Sequence, residues 1–202
     1  MATEEAEAVL EGGKVVIPSL EDADPLLQGG YGSAREDGSG SVLSPLEALY
    51  LHAEGRLKVR DGETGEELDF QSLLAKFRIV EDEVWIKYLI YRDLRSRGYV
   101  VRESMEMGVD FRLYDRGTYG EKSAKYVVYA IYEGTSTPIQ KLKEALSIAQ
   151  NMEKQLIVAV MDRRGETVYY SLSTQPILGA KNGWKQDNSI QKASEARQQQ
   201  SD

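Results

Sequence analysis

Apolar and polar positions change period several times along the chain, and each change marks an element. Ser44, Pro45 and Glu47 supply a cap, a first-turn proline and a reciprocal carboxylate. Leu46, Leu49 and Tyr50 then recur at helical spacing until Gly55 stops the run. "RLKVRD" alternates as a strand, and "DFQSLLAKFR" returns to the helical period. In "EDEVWIKYLIYRDLRSRGY" the acids lead, Trp85, Tyr88 and Leu89 mark an apolar face, arginines close it and Gly98 ends it. "YVVRE", "DFRLY", "KYVVYAIY", "LIVAVM" and "TVYYSL" are β-branched and aromatic, as strands are. Before the last two, Thr137, Pro138 and Gln140 predict a second capping box. The buried stripe of that helix is Ile139, Leu142, Leu146, Ala149 and Met152.

The order predicts an α+β N-terminal domain over residues 1–80. An α/β domain with a mixed sheet follows over 82–175, and a polar, disordered tail over 179–202. Residues 1–18 read as a mobile start and one short strand, "GKVVIP". "DADPLLQGGYGSAREDGSGS" reads as a loop.

Composition then narrows the chemistry. Among 202 residues there is no cysteine and one histidine, so thiolate chemistry and disulfides are excluded, and neither a structural zinc site nor any other metal or cofactor is expected. No apolar run approaches the roughly 20 residues that span a bilayer. The start "MATEEAEAVLEGG" lacks a basic leader, so a cytoplasmic protein without membrane contact is expected. The net charge of −8 disfavours nucleic acid unless lysines and arginines cluster locally, and it suits a basic protein partner.

"YRDLRSRGYVV", "GVDFRLYDRG", "AKYVVYAI", "EKQLIVAVMD" and "GETVYYSL", in that order, resemble the archaeal tRNA-splicing endonucleases. "LSPLEALYLHAEGRLKV" is similar to their N-terminal domain. The resemblance spans about residues 43–172 and implies a nuclease-like α/β fold for the C-terminal domain. Members of that family cut RNA without a metal, leaving a 2′,3′-cyclic phosphate and a 5′-hydroxyl. A tyrosine serves as general base, a histidine as general acid, and a lysine as cation at the phosphate. The resemblance puts the tyrosine on Tyr114 and the lysine on Lys154, but the histidine's place falls on Ser123. A hydroxyl does not donate a proton near neutral pH as imidazole does, and losing a positioned acid costs about 10²–10⁴ in rate. The family's base-gripping arginine also falls on a small residue, Ser147.

The resemblance therefore implies a structural subunit, with Tyr114, Ser123 and Lys154 as a vestigial triad. Its partners would be a catalytic homologue, in a heterotetramer of two plus two, and precursor tRNA with a bulge–helix–bulge. Lys154 and Lys125 would touch RNA phosphate, although a lysine at a helix end also answers the helix dipole. Lys122 beside Ser123 is a poor substitute acid, and His52, late in its helix, reads as a boundary residue. Asp162, Arg163, Arg164 and Glu166 form either a solvated turn or, as the resemblance implies, an interface loop. Val168, Tyr169 and Tyr170 lie on an edge strand that would pair across subunits. Two other readings stay open. One is an active homo-oligomeric nuclease using Tyr114, Lys154 and a substitute acid, and the other is a scaffold or RNA-binding module outside splicing.

Overall fold

The structure, a computed structural model, describes residues 5–173; the tail from 179 onward lies outside them. The chain begins with an antiparallel hairpin, β1 (Ala6–Glu11) and β2 (Lys14–Ile17), followed by helix α1 (Leu20–Gln28). Two short strands, β3 (Ser33–Ala34) and β4 (Ser41–Leu43), lead into α2 (Pro45–Ala53). Strands β5 (Leu57–Asp61) and β6 (Glu67–Leu68) and helix α3 (Phe70–Arg78) complete the first half. Its sheet runs β3-β4-β2-β1-β5-β6, with β1 parallel to β5.

The second half comprises α4 (Val84–Ser96), β7 (Val100–Glu103), β8 (Phe111–Tyr114), β9 (Tyr126–Tyr132), α5 (Ile139–Asn151), β10 (Gln155–Met161) and β11 (Thr167–Leu172). Its sheet, β11-β10-β9-β8-β7, is mixed as expected: β9 and β10 are parallel and the other pairs antiparallel. Among the described residues no helix is long and apolar enough to cross a membrane.

The capping box at α2 forms as read: Ser44 Oγ accepts from the Glu47 amide and Glu47 Oε2 accepts from the Ser44 amide. Four expectations are corrected. The mobile start contains β1, a central strand of its sheet, because Ala6 and Ala8 face the core while the glutamates face out. The loop before Ser44 contains α1, capped by Ser19, with Glu21 and Asp22 in the first turn and Ala23 and Leu26 buried.

At α5 no side chain caps the helix. The N-cap is Pro138, Gln140 reaches on to Glu144, and Ile139 is 67% exposed rather than buried. On α4 the buried stripe is Val84, Tyr88, Tyr91 and Leu94, so Trp85 is turned outward to 40% exposure. Tyr88 is buried as expected and Leu89 packs against the core, so Trp85 alone departs from the expected face.

One hydrophobic core runs through both halves, from Ile17 and Leu49 to Tyr91, Phe111 and Ile157. A smaller cluster around Val127, Ala145, Ala149 and Leu156 fixes α5 on the sheet. Arg102 of β7 and Arg95 of α4 tie the halves together. Arg102 Nη1 pairs with the buried Glu47 carboxylate at 2.7 Å and donates to Gly32 O, also at 2.7 Å. The Arg95 guanidinium lies 3.6 Å above the Tyr31 ring and donates to Gly29 O. Gly30, at φ 74°, is pressed so close to β7 that a Cβ there would stand 2.5 Å from Val100 Cγ1.

Candidate functional site

The pairing of three strands decides which side chains meet. Leu113 lies opposite Tyr126, and Tyr126 opposite Gln155. Tyr114, Ser123 and Lys154 each lie just outside these pairs, at one end of the sheet. The loop from β8 to β9 turns on Thr118, whose amide and hydroxyl donate to Asp115 O while its carbonyl accepts from Lys122 N. This tight path returns Ser123 to the sheet end.

Lys154 is placed by the way α5 stops. The Glu153 amide donates to Gln150 O and the Lys154 amide to Ala149 O, the paired reverse bonds of a left-handed helix terminus. Glycine usually supplies the left-handed residue, but here Glu153 does, at φ 56°. A non-glycine in this region is held by its surroundings at some cost. The result is that Lys154 Nζ donates to Ser123 Oγ at 2.9 Å.

Ser123 and Lys154 line an open cavity of about 520 Å³ together with Lys122, Lys125, Asp115 and Glu153. Three lysines thus face two carboxylates, which leaves the cavity with a small positive excess. Lys125 also lies 5.0 Å above the Tyr126 ring. Tyr114 is half-buried at the same end of the sheet, but its ring meets Tyr119 edge-on, with centroids 5.0 Å apart and planes at 87°. It is not among the cavity's lining residues. The structure therefore joins Ser123 to Lys154 and leaves Tyr114 in an aromatic pair beside them.

Of the cavity's residues, Asp115 and Glu153 carried no signal in the sequence beyond adjacency to Tyr114 and Lys154. Ser147 is exposed on α5. His52 lies in the other half, with Nδ1 2.9 Å from Leu57 O and its ring stacked on Phe70. Among the described residues no three His, Asp or Glu side chains converge as a metal site would require.

The last hairpin has a built turn. Asp162 Oδ1 accepts from the Arg164 and Glu166 amides at 2.8 and 2.9 Å, so this carboxylate organises the loop itself. Arg163, Arg164 and Glu166 are exposed. On β11, an edge of the sheet, Val168 and Tyr170 face outward at 54% and 55% exposure. Tyr169 faces inward, and its hydroxyl donates to Asp93 Oδ2 at 2.6 Å, where Arg97 Nε also donates at 2.7 Å. Burial, followed by the bond to Asp93, pushes the Tyr169 phenol far above its ordinary range.

Residues 84–170 match the family described as tRNA intron endonuclease, catalytic C-terminal domain, and residues 6–74 match tRNA intron endonuclease, N-terminal domain. The chain is similar to the tRNA-splicing endonuclease of Methanococcus vannielii, at 33% identity over 165 residues, covering 82% of this chain and 92% of that relative. The protein of the same name from Thermococcus onnurineus is 35% identical over 130 residues, 64% of this chain and 74% of its own. That of Methanosarcina acetivorans is 34% identical over 166 residues, and this chain spans only 45% of its length. The two matches succeed one another along the chain as the two sheets do, and the chain belongs to the tRNA intron endonuclease family.

Proposed function

We propose that this chain is a structural subunit of a tRNA-splicing endonuclease. It assembles with a catalytic homologue, two copies of each, to cut bulge–helix–bulge introns from precursor tRNA. The observation carrying this reading is the Lys154–Ser123 bond: a cation stands at an open cavity, and its neighbour is an alcohol where an acid is needed. Cleavage to a 2′,3′-cyclic phosphate and a 5′-hydroxyl requires a proton for the leaving oxygen. A serine hydroxyl does not supply one near neutral pH as an imidazole does. Lys154 and Lys125 are left to contact phosphate, and β11 to extend its sheet with a partner strand. The two outward apolar side chains and open backbone edge support that last role.

The test is cleavage of a bulge–helix–bulge RNA by the purified chain, alone and mixed with a catalytic homologue from the same genome. The chain alone is expected to fall below the mixture by about 10²–10⁴. Equal cleavage by the chain alone overturns the proposal.

One observation favours a second reading, an active homo-oligomer: Lys122, Asp115 and Glu153 line the same cavity, so other polar groups stand where a substitute acid is needed. Under that reading Tyr114→Phe, Lys154→Ala and Glu153→Gln each depress cleavage by the chain alone. Under the first, Tyr114→Phe and Glu153→Gln leave the mixture's rate unchanged, and Lys154→Ala weakens its hold on the RNA without abolishing cleavage.

A further inference from the structure

At the other end of the second sheet lies a larger groove, of about 600 Å³, which the RNA-facing cavity does not touch. Its walls are the start of α4, the loop from β7 to β8, the far half of β9 and the first turns of α5. Two methionines form its lip, Met105 at 84% and Met107 at 92% exposure. A single exposed apolar side chain is ordinary, but two flanking a groove floored by Ile86, Tyr129 and Ile131 make a contiguous apolar surface. Methionine suits such a place because its unbranched thioether adapts to different partners.

The lip is also built. Ser104 N donates to Asp110 O at 2.9 Å, and the loop's exit at Gly108 presses on α5, where a Cβ would stand 2.9 Å from Ile148 Cδ1.

Charge narrows the occupant. Lys87 is already matched within the chain by Glu81 and Asp110, and the second Asp110 oxygen accepts from Ala130 N at 2.7 Å. What faces outward is Glu83, Glu106 and Glu144 against Lys141. A phosphate backbone is repelled by that set, whereas a positively charged side chain gains by entering it.

We propose that this groove is a docking site for a cationic peptide segment of a partner protein. Met105 and Met107 receive an apolar anchor of that segment, and Glu83, Glu106 and Glu144 receive its lysine or arginine side chains. The site stands apart from the RNA-facing cavity, so it holds whether or not the chain takes part in cleavage.

The experiment uses the full chain with methyl-labelled methionines, five in all. The probes are an amphipathic Lys/Leu peptide, a Lys/Ala peptide of equal charge, a Glu/Leu peptide and polyuridylate. The Lys/Leu peptide is expected to shift the Met105 and Met107 methyl signals saturably and to leave the buried Met161 unmoved. Glu106→Lys/Glu144→Lys is expected to weaken this binding about tenfold or more. Met105→Ser/Met107→Ser, read by intrinsic fluorescence, is expected to do the same. All four positions are exposed, so the variants keep the fold, which a thermal melt verifies. Three results each overturn the proposal: undiminished binding by the Glu106→Lys/Glu144→Lys variant, equal binding of the Lys/Ala peptide, or equal shifts from Glu/Leu peptide or polyuridylate.

Discussion

Glu103 ends β7 half-buried, and the loss of water around its carboxyl is the main reason its proton is held above the ordinary carboxylate range. The neighbouring Glu47 and Glu81 carboxylates push the same way, against a hydrogen bond with Ser44. The folded protein thus binds this proton more tightly than the unfolded chain. The stability it contributes is complete below the unfolded value and is lost as pH rises through the folded one. Glu103→Gln keeps the shape and removes the charge. Its melting temperature is expected to exceed the parent's at pH 7, with the gap closing as pH falls toward the ordinary carboxylate value of 4.5. Paired thermal melts between pH 4 and 8 read this, and a gap that ignores pH refutes it.

Strand β11 is held by a side chain as well as by its ladder with β10. The Tyr169 hydroxyl reaches Asp93 on α4, and the Arg97 guanidinium both binds that carboxylate and lies 5.1 Å from the phenol ring. A hydrogen bond to a charged group contributes about 1.5–3 kcal/mol, so Tyr169→Phe is expected to lose that much in urea unfolding. Asp93→Asn should reproduce most of the loss, and combining the two should add little, since they break one network. Full additivity would show that the two side chains act separately. Such links explain what the sequence could and could not disclose. The Ser44–Glu47 box was legible because its partners lie three residues apart and need nothing else. Strand β1 was hidden because its two fully buried residues, Ala6 and Ala8, are apolar enough to pack but too small to mark a period. The cap expected at Thr137 failed because the helix starts one residue later than the motif implies. In the candidate site, the lysine and the serine were legible one by one through the resemblance. Their bond was not, because it depends on β9 lying parallel to β10 and on a left-handed Glu153.

Across the whole molecule, the first half is coupled to the site loop through Arg102. Its guanidinium pairs with Glu47, which caps α2 with its other oxygen, and binds Gly32 O and Ser33 Oγ. It also lies 5.8 Å from the ring of Tyr119, which in turn meets Tyr114 edge-on. Glu47 is only 3% exposed, and Arg102 is the cation paired with its carboxylate. Removing one member of a buried pair costs about 3–5 kcal/mol because the survivor stays charged without water. Arg102→Met is therefore expected to destabilise the chain by that amount in urea unfolding. Glu47→Gln/Arg102→Met should recover part of the loss, since no bare charge remains. Amide exchange separates this clamp from a general loosening: with Arg102→Met, protection in residues 115–125 should fall further than protection in β10, because Tyr119 loses its cationic neighbour while the β10 ladder is untouched. Uniform loss of protection would mean that Arg102 contributes to stability alone and leaves the site loop to hold itself.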